Sequence, residues 1–145
     1  MSDEAALRHV AALETLAAMD PAKLKAEAEA ILPLLGAVEV IESRSGLVTL
    51  PMRDTVRETD FLLGDVLAAE AHLRLPAFGV EGYGMVIGHD LERAMAMAVI
   101  DAARAAGVET DRLEAFLAAA AAEIAEAEDA LLRRIEATRV EMETF

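Results

Sequence analysis

The stretch Val66-Leu67-Ala68-Ala69-Glu70-Ala71-His72-Leu73-Arg74-Leu75 alternates in character: Leu67, Ala69, Ala71, Leu73 and Leu75 fall on one side of an extended chain, and Glu70, His72 and Arg74 on the other. Successive strand side chains point to opposite faces, so a period of two predicts a strand with one buried and one polar face. A sheet therefore occupies the middle of the chain. Just upstream, Phe61-Leu62-Leu63 is followed by Gly64-Asp65, a glycine-first pair suited to a type II′ turn, which predicts a hairpin there. Further upstream, residues 38–42 and 47–52 flank Ser43-Arg44-Ser45-Gly46 and read as a second hairpin, with Gly46 supplying the freedom of a tight turn. Downstream, residues 76–82 read as a loop and 83–87 as a short strand. The expectation is an antiparallel sheet of four to five strands within residues 38–88.

On either side of the sheet the period lengthens to that of a helix. Leu7, Val10, Leu13, Leu16 and Ala17 recur every three to four residues behind Ser2, predicting an amphipathic helix over 3–18. Asp20-Pro21 restarts a helix, since Asp caps free N–H groups and Pro suits the first helical position; Pro33 and Gly36 then end it, giving a helical hairpin over 3–32. After the sheet, Gly88-His89-Asp90 leads into a helix over 90–106 that Gly107 ends. Thr110 or Asp111 can cap a last helix over 110–143, in which Leu113, Leu117, Ala120, Ile124, Ala127, Leu131, Ile135, Thr138 and Met142 form one stripe. The fold class is α+β in a single domain spanning residues 1–145. Continuous, the last helix measures roughly 45–50 Å, against a radius of gyration of about 15 Å for a compact chain of this size. Either it bends or folds back, or it projects. A projecting stripe exposes an apolar patch of the kind that marks protein interfaces, with Leu113, Leu117, Ile124, Leu131, Ile135 and Met142 as the candidate contacts.

Composition narrows the chemistry. The net charge is −14 over 145 residues, spread along the whole chain, which repels nucleic-acid phosphates and anionic membrane surfaces. Cys is absent, which excludes disulfides, thiolate catalysis and Cys-ligated zinc or iron–sulfur centres and fits a reducing compartment. The N-terminus has early acids and no basic stretch before an apolar core, and the longest apolar run, 115–122, covers eight residues, so a soluble cytoplasmic protein is expected.

Candidate sites are few. Gly82-Tyr83-Gly84 and Gly88 precede a helix but place a strand between the glycines, which is not the spacing of a dinucleotide or Walker loop; they read as glycines shaping a strand and its exit. His9, His72 and His89 lie far apart, and none belongs to a two-His helical metal motif. Glu70, His72 and Arg74 put an acid, a base and a cation on one strand face, a set suited to proton transfer or to holding an anion, with His89 as a further weak candidate; the alternative is a polar face of cross-strand pairs. Asp101 lies in an otherwise apolar helix, where it needs a partner if buried, or stays exposed beside Arg104 three residues on. No cofactor or metal is expected on this chain.

Ser45-Gly46-Leu47-Val48, Phe61-Leu62-Leu63-Gly64-Asp65, Gly84-Met85-Val86-Ile87-Gly88-His89-Asp90-Leu91-Glu92-Arg93-Ala94 and Ala98-Val99-Ile100-Asp101-Ala102 occur in one order with compatible spacing. The ordered set resembles PhnG, the small subunit of the bacterial carbon–phosphorus lyase machinery, over about residues 38–102, with weaker similarity at both ends, including Thr138-Arg139-Val140. Three features depart from that pattern: Thr55-Val56-Arg57-Glu58 replaces a Gly-rich turn, Glu70 stands where Arg is common, and Arg44 stands where an acid is common. The resemblance implies a subunit that associates with PhnI, PhnH and PhnJ, and insolubility or self-association is expected when the chain is expressed alone. It implies support for the step in which a phosphonate displaces adenine from ATP to give α-D-ribose 1-methylphosphonate 5-triphosphate. ATP and phosphonate are then substrates of the whole complex, with the chemistry on PhnI and PhnJ and none on this chain alone. Two other readings remain open: a small anion-binding protein or enzyme built on Glu70, His72 and Arg74, and a homo-oligomer held by the last helix.

Overall fold

Two helices open the chain, α1 (Asp3–Ala18) and α2 (Pro21–Ile31), and both caps follow the sequence: Ser2 accepts from the Ala5 N–H, and Asp20 accepts from the Lys23 N–H ahead of Pro21. The computed structural model describes residues 2–54 and 59–143. A single 3-10 turn, Leu32–Leu34, ends α2 at Pro33. Three strands follow, β1 (Glu39–Asp54), β2 (Thr59–Leu75) and β3 (Val80–Ile87), then α3 (Leu91–Ala106) and α4 (Thr110–Glu143). The α+β class and the order of elements agree with the expectation, but α1 and α2 do not close chiefly on each other. α2 packs on α3, and α1 reaches α4 and α3. The α1 stripe is also rotated from the expected one. Ala12 and Leu16 are buried, whereas Leu7 and Val10 are exposed.

The sheet has three long antiparallel strands in the order β1-β2-β3, fewer than the four to five expected. Neither expected turn forms. Ser43-Arg44-Ser45-Gly46 runs straight through β1, with Ser43 opposite Ala71 and Ser45 opposite Ala69, because the 17-residue partner strand offers a regular ladder from Glu42 to Leu50. Gly64-Asp65 lies inside β2. There the register slips between Leu50 and Pro51, and Gly64 adopts φ 116°, so its freedom serves a bulge and not a reversal. The two strands stay paired out to Asp54 and Thr59, and residues 55–58 lie outside the described residues. The 76–82 loop is shorter than expected, since β3 already begins at Val80.

The helices cover only part of this sheet. α3 lies on β3 and β2, burying Ala94, Met97, Ala98, Ile100 and Ala102 against Ala69, Ala71, Leu73 and Leu75. β3 pairs with β2 only from Ala68 to Leu75, so β2 residues 59–67 are paired with β1 alone. This explains why Leu67, on the face predicted to be buried, is exposed: it lies beyond the helix cover.

The last helix is one unbroken element of 34 residues, about 51 Å at 1.5 Å per residue. Its first turns pack into the core through Leu113, Leu117 and Ala120, with Ile124 half-buried beside them. Leu113 and Leu117, expected as docking residues, are thus core residues of this chain. From residue 125 to 139 every side chain is exposed, including Leu131, Leu132 and Ile135. The helix neither breaks nor folds back. At Met142 only the backbone is described, and its side chain lies outside the described residues.

Candidate functional site

Residues two apart on β2 share a face, so the ladder sets Glu42 and Tyr83 on either side of His72, Arg44 and Met85 on either side of Glu70, and Glu81 beside Arg74. On that polar face the Arg44 Nε lies 3.1 Å from Glu42 Oε1 and 3.4 Å from Glu70 Oε2. His72 Nε2 is 3.4 Å from Glu81 Oε2, and its ring meets Tyr83 edge-on with centroids 6.3 Å apart. Burial first, and the Glu70 carboxylate second, push the Tyr83 hydroxyl above its ordinary pKa of 10.0. Glu70 and His72 are therefore brought into one row, Glu70 facing Arg44 and His72 facing Glu81; Arg74 stays exposed beside Glu81, and His89 is exposed in the turn before α3. Among the described side chains, the carboxylates of Glu39, Glu42, Glu70 and Glu81 share this face with Arg44, Arg74 and His72. The geometry at Arg44 is that of cross-strand pairs, and an anion entering there would have to displace Glu42 and Glu70.

Among the described residues, Asp101 is the charged side chain that is buried. Its helix would point it into an apolar core, and two donors meet it there: His9 Nε2 lies 2.8 Å from Oδ1, and the Tyr83 N–H donates to Oδ2 at 2.9 Å. Of the two alternatives for Asp101, the buried and partnered one holds, and Arg104 turns instead to Glu114, with Nη2 3.0 Å from Oε1. β3 is an edge strand, and its Tyr83 N–H, having no fourth strand to meet, is satisfied by the Asp101 side chain. One carboxylate thereby joins α1, β3 and α3. Sequence reasoning missed His9 as its partner, yet a signal was present: His9 lies three residues before Ala12 and seven before Leu16, on the stripe that is buried.

A cleft of about 420 Å³ opens beside this contact, lined by His9, Glu81, Asp101, Arg104, Thr110 and Glu114 among others. With Nε2 donating to Asp101, the Nδ1 of a neutral His9 is an acceptor, so the pair has the form of a base held by a carboxylate. The surroundings do not suit phosphate or phosphonate. Three carboxylates line the cleft, and its one arginine is committed to Glu114. Among the described residues no group of three or more His, Asp or Glu side chains is placed to share a metal ion.

The glycines near β3 have a packing role. A Cβ on Gly82 would lie 2.2 Å from the Ala98 carbonyl oxygen, and one on Gly84 would lie 2.2 Å from the Ala94 carbonyl oxygen. With Ala94, Ala98 and Ala102 one turn apart, α3 settles directly onto the strand backbone. At the start of α3, Asp90 accepts from the Arg93 N–H and from Lys25 Nζ at 3.1 Å, while Arg93 Nη2 donates to the carbonyls of Ala17 and Met19 at the end of α1. A guanidinium there meets the negative end of the helix dipole.

Gly84, the Asp90 cap and the Asp101 contact all fall within one ordered motif, and a family model described as phosphonate metabolism protein PhnG matches residues 8–145. The chain belongs to the PhnG family. It is thereby placed in phosphonate metabolism. A search of curated proteins finds no match. Read as PhnG, the motif 84–102 is the scaffold on which α3 is mounted: Gly84 admits the helix, Asp90 caps it, Arg93 ties it to α1, and Asp101 ties it to β3. Among the described residues, no helix is long and apolar enough to cross a membrane.

Proposed function

We propose that this PhnG chain is a non-catalytic, cytoplasmic subunit of the carbon–phosphorus lyase system. It associates with PhnI-, PhnH- and PhnJ-like subunits and supports the synthase step in which a phosphonate displaces adenine from ATP to give α-D-ribose 1-methylphosphonate 5-triphosphate. One observation carries the reading: α4 continues past the core with Leu131, Leu132 and Ile135 half or more exposed, an apolar surface that no element covers among the described residues. The acidic lining of the cleft and of the strand face favours the same reading, since ATP carries about four negative charges near neutral pH and needs clustered cations or a metal. ATP and phosphonate are substrates of the assembly.

Co-expression with the PhnI-, PhnH- and PhnJ-like subunits tests this. The wild-type chain co-purifies with them, and Leu132→Glu with Ile135→Glu lowers its recovery tenfold or more while leaving the helical signal unchanged. A well-behaved monomer that leaves its PhnI-like neighbour behind would overturn the reading. So would strong thermal stabilisation of the isolated chain by ATP or methylphosphonate that disappears in His72→Ala.

A further inference from the structure

β1 has an open edge and two largely uncovered faces. From Glu39 to Thr49 none of its side chains is buried, and Val40, Ile41 and Leu47 are exposed by half or more. It is the outer strand of the sheet, and α3 covers β2 and β3 instead. The direction of its backbone groups follows from the other side of the sheet. The Tyr83 N–H points away from β2, to Asp101, so His72 and Tyr83 are a non-hydrogen-bonded pair. His72 and Glu70 then turn their backbone groups toward β1, where Glu42 and Arg44 meet them. The Gly88 N–H bond to the Leu67 carbonyl fits the same alternation, odd-numbered β2 residues facing β3. On β1 the intervening residues Ser43, Ser45 and Leu47 must present N–H and C=O outward, to no strand.

Natural sheets protect such edges with Pro, short strands, bulges or a covering element. Here the register of β1 is regular from Glu42 to Leu50, between two irregularities, which is the length of an ordinary strand. We infer that this edge receives an extended segment of a different protein chain, added antiparallel or parallel to β1, whose side chains also cover Leu47 and Leu67. The inference rests on the reading of this chain as a subunit, and it adds the surface and the mode of docking. Charge selects the occupant. The chain carries −14, and Arg44, the cation on this part of β1, is already engaged by Glu42 and Glu70, so a second copy meets like charge. A segment bearing Lys or Arg opposite Glu39 meets complementary charge.

Proline supplies a selective test, because an outward N–H on an edge strand is the one sheet position where its loss leaves the internal ladder intact. The full chain, its Ser45→Pro variant and its Arg44→Pro variant are each co-expressed with the other subunits. Ser45→Pro keeps the circular dichroism of the wild type and loses tenfold or more in co-purification, whereas Arg44→Pro, which removes an inward N–H, is destabilised even alone. In the assembled complex the amides of Ser43, Ser45 and Leu47 gain protection from hydrogen exchange. Undiminished recovery of Ser45→Pro overturns strand addition while the subunit reading stands. Failure of the wild type to co-purify sinks the subunit reading, and sedimentation of the isolated chain then decides the edge. Self-association abolished by Ser45→Pro puts a second copy there, against our assignment, and a monomer at all concentrations removes the docking edge altogether.

Discussion

Replacing Gly84 by Ala tests how α3 is held on the sheet. The added Cβ would sit 2.2 Å from the Ala94 carbonyl oxygen and 3.0 Å from both the Ala98 nitrogen and the Met97 Cβ. All but the last are backbone atoms of a helix, so no side-chain rotation relieves the clash, and the helix must withdraw. Restoring an ordinary carbon–oxygen contact takes about 1 Å, and a gap of that size forfeits a quarter to a half of the dispersion energy across it. Overpacking a core costs typically about 1–3 kcal/mol, and a contact against backbone along a helix with nine buried residues belongs at the upper end. We expect about 3 kcal/mol, read as a lower urea midpoint at unchanged slope and a melting point lower by about 6–12 °C. Gly82→Ala meets the Ala98 oxygen and Ala102 in the same way. The double variant should fall short of the sum, since one withdrawal of α3 accommodates both methyl groups. Gly46→Ala is the control: nothing lies within 4 Å of its new Cβ, and its midpoint should stay within about 0.5 kcal/mol of wild type. If Gly84→Ala unfolded at the same urea concentration as Gly46→Ala, close seating of α3 on β3 would be refuted.

Asp101→Ala leaves the buried Tyr83 N–H without an acceptor and should cost about 2–3 kcal/mol in chemical denaturation; His9→Ala, on the half-exposed side of the same contact, should cost about 1 kcal/mol. Equal losses in the two would contradict the assignment of Asp101 as the edge-strand acceptor. Asp90 gives a pH dependence: its hydrogen bond from the Arg93 N–H, and then Lys25, hold its pKa below the ordinary 3.8. A depressed carboxylate contributes stability that is full above the unfolded value and lost as pH falls through the folded one, so the contribution fades below about pH 4. Asp90→Asn, which keeps a capping oxygen, should therefore narrow its gap to wild type in acid, and a gap that widens there would reverse the sign of this argument.

The sequence disclosed what depends on near neighbours. Ser2, Asp20-Pro21 and Gly107 set helix ends through contacts three or four residues long, and all three were legible. The buried face of β2 was legible too, because alternation is local. The turns were misread for the same reason. Ser43-Arg44-Ser45-Gly46 has turn composition, but its conformation is decided by Ala69 and Ala71, more than twenty residues on, which supply a ladder and room for small side chains. The contact of His9 with Asp101 spans 92 residues, beyond any spacing argument. The α4 stripe was read correctly as a stripe, but only the packed structure divides it at Ile124 into a core part and a projecting part.

The high negative charge and the bare apolar surfaces belong to one argument. An apolar helix face and an open strand edge on the same small chain would ordinarily invite self-association. Each copy carries −14, and two copies approaching through like faces must overcome repulsion that falls off only over about 8–10 Å at physiological salt. On the subunit reading proposed above, charge disfavours the chain's own copies relative to a partner bearing Lys and Arg, whose association rate should fall as salt rises. Raising the salt should act oppositely on the two processes, weakening capture of the cognate subunit while permitting self-association. A chain whose homotypic and heterotypic contacts both weakened with salt would owe its solubility to something other than this repulsion.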